Sequence, residues 1–304
     1  MIRTVTTKSL FVGVALAAAV VPANAQSVAK ELGSDVRDFG GDMVAVWLSP
    51  LHAHPRDWAL TLGTFAGGAA LMPIDDNVDR YMYQHRYDWF YDKALSPVRE
   101  GGVLFSGKYL VPVAGAGYVV GLATHNRALR DSFLGCISAY ASTSVVRSVV
   151  AYNLVARTRP DSARNPANAS PPAQQGDQYK IDFGRGGWGR NSFPAGHTAN
   201  MAACASFLSH RFQSRTVATV AYTFAGAVAV GRLVDRRHWT SDSFVGWIFG
   251  YAAGKLVAER TLRRERGSGN AAGGTAGAAT TADDRGLYIT TIGDRAAFGW
   301  RATF

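Results

Sequence analysis

Cysteine is scarce in this chain, with only Cys136 and Cys204 in 304 residues, too few for a disulfide framework. Zinc-type Cys/His spacing, an RNA-binding sheet signature and a basic heptad helix are all missing, which excludes the familiar nucleic-acid modules as partners. The apolar/polar alternation of half-buried strands is missing from the middle of the chain. Acidic residues are outnumbered, 22 against 32 Lys and Arg, for a net charge of +10. That excess favours anionic partners, phosphates and acidic membrane surfaces among them.

What is present is a series of helix-length apolar segments. Residues 1–25 carry Arg3 and Lys8, an apolar run from Leu10 to Val21 and then Ala23-Asn24-Ala25, the pattern of a secretory signal peptide. Its removal takes the net charge from +10 to +8. An N-terminal extension, 26–57, precedes six apolar segments: Trp58 to Pro73, Val103 to Ala123, Ser132 to Val155, Thr198 to Phe212, Val217 to Val234 and Ser243 to Val257. They predict an all-α domain over 58–262 built on a six-helix core. A flexible Gly/Ala-rich linker follows over 263–285. The last stretch, 286–304, alternates Tyr288, Thr290 and Ile292 before Gly293-Asp294 and reads as a short C-terminal β-hairpin.

Several segments approach the roughly 20 residues that a membrane span needs. They are diluted by Gly, Ala, Ser and Thr, they contain or abut Lys108, Arg147 and Arg232, and the mean hydropathy is −0.02. The expectation is an exported, periplasmic domain, soluble or in surface contact with a membrane; the alternative is a polytopic inner-membrane protein. Asp75, Asp76 and Asp79 read as cap and first-turn acids of a helix carrying Tyr81 and Tyr83. His52 and His54 lack a nearby carboxylate, so no metal site is expected there.

Chemistry gathers at three places. In GRLVDRRHWTSD, residues 231–242, Arg236 and Arg237 fit a solvated basic turn. His238 and Asp242 fit something else: four apart on a helix, they share a face, so the carboxylate could orient the ring and leave its other nitrogen to attack. Upstream, SFPAGHT at 192–198 places Pro194 and Gly196 at a helix start, whose free N–H groups make an anion site with His197 beside it as proton donor. Further upstream, Arg157-Thr158-Arg159-Pro160 ends another apolar helix with two cations suited to phosphate oxygens.

R-T-R-P, S-F-P-A-G-H-T and G-R-x5-H-x3-D, in that order, resemble the three signature motifs of the type 2 phosphatidic acid phosphatase superfamily, which includes membrane lipid phosphatases, bacterial class A acid phosphatases and vanadium haloperoxidases. The resemblance runs from about Trp58 to Glu259. It implies a helical bundle of the acid phosphatase/haloperoxidase type and a metal-independent phosphatase without cofactor, inhibited by vanadate. Phosphate monoesters or diphosphates would be its substrates, with lipid phosphates such as phosphatidate or an isoprenyl diphosphate favoured. His238 would be the nucleophile that forms a phosphohistidine, Asp242 its orienting carboxylate and His197 the general acid. Arg159 and Arg232 would grip the phosphoryl oxygens with the Gly196 N–H, and Arg157 and Ala195 would adjoin them. A vanadate-dependent haloperoxidase and a weakened phosphate- or lipid-binding protein are the alternatives. This chain departs from the family's motifs at three places: Tyr152 stands where the first has Lys, Ala195 where the second has Ser, and Gly231 where the third has Ser. Arg157, Tyr152 or Lys180 could compensate, and Trp188 is the loop residue best placed to touch substrate. Unbroken helical rise back from Arg159 and forward from His197 would put Cys136 about 35 Å and Cys204 about 10 Å from the shared end, so free thiols are expected.

Overall fold

A computed structural model describes residues 25–99, 109–149, 154–161, 171, 176–185 and 187–272, with 286–292 and 295–301 described by backbone alone. The expected signal peptide, except for its last residue, lies outside the described residues. The hairpin expected over 286–304 lies outside those described with side chains. The described core is mainly helical. Its long helices are α1 (Ala25–Leu48), α2 (Pro55–His85), α3 (Leu110–Ala123), α4 (Arg127–Val149), α5 (Gly196–Phe212), α6 (Arg215–Val234) and α7 (Thr240–Ala272).

Local chemistry sets the ends. Pro55 opens α2 behind a reciprocal capping box between His54 and Asp57. The Asn126 side chain caps α4 through the Leu129 N–H at 2.9 Å, and Ser214 caps α6. Gln213 takes the left-handed conformation, φ 48°, that ends α5.

Helix α5 is the axis of the fold. Every residue from Thr198 to Phe207 is buried, against α4 on one side and α6 and α7 on the others. Its contact with α7 is a close one. A Cβ built on Gly250 would lie 2.1 Å from the Ala199 carbonyl oxygen, and one on Gly254 would lie 2.1 Å from that of Ala203; on Gly246 the Ala195 oxygen would be 2.8 Å away. Backbone therefore touches backbone along three turns, the small-residue packing that close helix pairs require.

Four expectations are corrected here. Helix α2 does not stop at Pro73 but runs through it to His85. The proline removes one helix bond, and the acids beyond it are not cap residues: Asp75 and Asp79 lie one turn apart, both buried. Cys136 and Cys204 are joined as a disulfide, with Cα atoms 4.8 Å apart. The rise argument fails because residues 156–161 are not helical, so helical rise cannot be counted back from Arg159. Arg147, which sits against Gly196, marks the true end, and both cysteines lie roughly 10 to 16 Å from it on adjacent helices. The third correction concerns the surface. Leu60 and Leu62 on α2 and Val220 on α6 are 62%, 66% and 66% exposed, and Phe65, Val111, Val113, Val119 and Val120 are exposed as well. Helix α6 is long and apolar enough to cross a membrane. A surface of that kind does not fit the soluble or peripheral expectation. Helix α7 also continues past residue 263, where the linker was expected, and Arg264 and Glu265 are held by Asp42 and Arg211.

Candidate active site

The site lies where the 154–161 strip, the 187–195 loop, the start of α5 and the α6–α7 turn converge. That turn, 235–239, is buried throughout, so the solvated basic reading of Arg236 and Arg237 does not hold. Arg236 has φ 55°, a strained value for a non-glycine residue. Its guanidinium grips Asp79 of α2 with both edges, Nε to Oδ1 at 2.8 Å and Nη2 to Oδ2 at 2.7 Å. This fork holds the turn that presents His238.

His238 is 4% exposed and its Nδ1 lies 2.6 Å from the backbone carbonyl of Ser192. A carbonyl only accepts, so Nδ1 carries the proton and Nε2 keeps its lone pair. The direct bond to Asp242 expected from the spacing is replaced by this carbonyl. Asp242, fully buried, instead accepts from the Arg157 guanidinium, the Ser192 hydroxyl and the Trp239 N–H. It orients His238 through Ser192, whose other end it holds.

Arg157 is also reassigned. Nε and Nη2 donate to the Gln178 carbonyl at 2.9 and 2.6 Å, Nη1 to Ser241 at 2.7 Å and to Asp242, and Nη2 to Asp75 at 2.8 Å. All five N–H donors are used, and none is left for a phosphate. Ala195 likewise gives its N–H to the Asp242 carbonyl at 3.1 Å. Lys180 is exposed, its carbonyl accepting from the Thr158 N–H. Tyr152 lies outside the described residues. Trp188 opens a short helical turn, Trp188–Arg190, and the Gly189 carbonyl in it accepts from the Arg159 N–H at 2.9 Å.

What remains is a cationic pocket around two histidines. The charges acting on His238 are those of Arg159 and Arg232, with His197 beside it; those acting on His197 are Arg232, Arg147 and Arg159. No side chain caps the start of α5, so its first N–H groups stay available to an anion. Nδ1 of His197, Oγ1 of Thr198 and the Nε atoms of Arg147 and Arg232 are buried without a hydrogen-bond partner. Buried donors left this way are rare, and those of Arg147 and Arg232, whose charges both act on His197, suit an oxyanion with several acceptor atoms. Sequence reasoning missed Arg147, which stands outside all three motifs, and Asp75, whose spacing from Asp79 puts both on one helical face.

Burial, reinforced by Arg159 and Arg232, holds the His238 pKa well below its usual 6.5. The folded ring thus stays neutral where an unfolded one binds a proton, so unfolding takes up a proton as the pH falls below about 6.5. This contribution is complete above that pH and is lost progressively on acidification. The melting temperature of the full chain should fall between pH 7 and 5, and His238→Gln should flatten the slope. An unchanged slope in the variant would show that His238 is not the group responsible.

The comparisons with known proteins bear on the same region. The model of the PAP2 superfamily matches residues 132–266, from α4 to α7, and contains all three motifs. Residues 132–266 belong to the PAP2 superfamily. The lipid A 1-phosphatase of Porphyromonas gingivalis is 38% identical over 82 residues, which are 25% of this chain and 18% of that protein. A transmembrane PAP2-type phosphatidylglycerolphosphate phosphatase from Bacillus subtilis aligns over 69% of this chain and 95% of its own, at 17% identity and a TM-score of 0.43. The PAP2 segment excludes α2, yet Asp75 and Asp79 of α2 complete its ion pairs.

Proposed function

We propose that this chain hydrolyses a lipid phosphate, monoester or diphosphate, through a phosphohistidine formed on His238. The observation that carries the reading is the bond from His238 Nδ1 to the Ser192 carbonyl, which leaves Nε2 as a nucleophile among Arg159, Arg232 and His197. Nε2 attacks phosphorus, the bond from phosphorus to the leaving oxygen breaks, and His197 gives that oxygen its proton. Three arginine charges act on His197 in the free site; a phosphate dianion among them offsets those charges and lets the ring hold the proton it passes on. A water deprotonated by His197 then attacks phosphorus, the phosphorus–nitrogen bond breaks and phosphate leaves. Arginines and helix N–H groups carry the charge of the transition state, so the reaction needs no added metal.

The lipid substrate is supported by the relative that acts on lipid A and by the exposed apolar faces of α2, α3 and α6. On this reading α6 crosses the membrane and α2 and α3 lie against its hydrocarbon. The Cys136–Cys204 disulfide supports an oxidising compartment outside the cytoplasm.

The test is phosphate release by the full chain in detergent micelles with EDTA, from phosphatidate, an isoprenyl diphosphate, a lipid A phosphate and a water-soluble monoester. Release from at least one lipid should continue in EDTA, be blocked by vanadate, and exceed the soluble ester by about tenfold or more in kcat/KM. Loss on chelation with rescue by magnesium or zinc would sink the mechanism. Preference for the soluble ester would sink the lipid assignment.

A further inference from the structure

We propose that Arg147, near the end of α4, supplies the phosphate-binding cation that this chain lacks at Tyr152. The inference rests on the phosphatase reading above and names a residue for it. Four observations converge. Arg147 lies flat on the first residue of α5: a Cβ on Gly196 would meet its Cδ at 2.1 Å, Nη1 at 2.7 Å and Nε at 2.9 Å. The guanidinium thus occupies the space beside the helix N–H groups that a larger residue would fill. Its charge acts on His197 together with Arg232 and Arg159, which puts it in the same pocket.

Third, it is uncommitted. Its Nε is buried without a partner, and it makes no ion pair with any carboxylate among the described residues. Arg157, the stronger candidate by sequence, has every donor engaged. Fourth, its position is fixed by the packing of α4 on α5. Thr143 and Ser144, one turn before it, both donate to the Asn200 side chain on α5, at 2.8 and 3.2 Å, and the disulfide joins the same two helices further along. A guanidinium held rigidly beside a helix start can offer two N–H groups to one phosphoryl oxygen pair. Glycine at 196 leaves the room that this arginine occupies.

Arg147→Gln and Arg147→Lys test the idea, alone and with Tyr152→Lys added, each measured for kcat, KM, the vanadate inhibition constant and the shift in melting temperature on adding inorganic phosphate. Arg147→Gln should lose about 10²-fold in kcat/KM, the usual cost of one donor to a transition-state oxyanion, and the phosphate-induced shift should shrink with it. Arg147→Lys should keep most of the shift, and Tyr152→Lys should restore part of the lost activity. A folded Arg147→Gln with wild-type kcat/KM and phosphate shift would overturn the proposal while leaving the phosphatase reading intact. Should wild type release no phosphate from any substrate, the phosphatase reading fails. In that case a phosphate shift lost in Arg147→Gln still supports the anion contact, and a shift kept overturns it.

Discussion

His238→Ala is expected to bring phosphate release down to background, a loss of about 10⁵-fold or more, because the group proposed to take the phosphoryl bond is gone. His197→Ala is expected to lose less, and the shortfall should shrink when the leaving oxygen is already a good leaving group, since only the acid step becomes dispensable. The contrast between the two variants carries the weight. Trapping a radioactive phosphoryl group on wild type and on His197→Ala, but not on His238→Ala, would complete the case. Wild-type turnover in His238→Ala would end it.

Asp242→Ala should act on folding and turnover together. The carboxylate is fully buried and holds Arg157, Ser192 and the Trp239 N–H at once. Removing it leaves a buried arginine with Asp75 as its remaining charge partner, a change that typically costs about 3–5 kcal/mol. It also frees Ser192, whose carbonyl orients His238. Asp242→Asn keeps acceptor and donor atoms in the same volume and should cost less stability while still lowering kcat more than it raises KM. Denaturant melts and steady-state kinetics on both variants check this. If Asp242→Asn melts normally and turns over at the wild-type rate, the path through Ser192 plays no part in placing the nucleophile.

The three motifs and the apolar segments that carry them were legible in the sequence, because each is local: a proline and glycine at a helix start, a histidine four residues before an acid. The partners were not. Whether Arg157 meets a phosphate or a carboxylate depends on α2, the 176–185 stretch and the start of α7 arriving together, and nothing near residue 157 records that. Asp75 and Asp79 were misread for the same reason, with Pro73 suggesting a break that the helix does not make. The cysteine error came from counting unbroken helical rise back through 156–159, which is not helical, and this hid Arg147 behind Arg159. Burial of the turn at Arg236 likewise depends on a carboxylate more than 150 residues away.

The glycine face of α7 has a consequence for how variation in this chain is interpreted. Gly246, Gly250 and Gly254 hold no proton, charge or ligand, yet any side chain there must displace a carbonyl of α5. A survival screen over all single substitutions would therefore record a stripe of intolerance at every fourth position of α7, as severe as at the histidines. Sensitivity to substitution in this protein is a map of where two backbones touch as well as of where chemistry occurs.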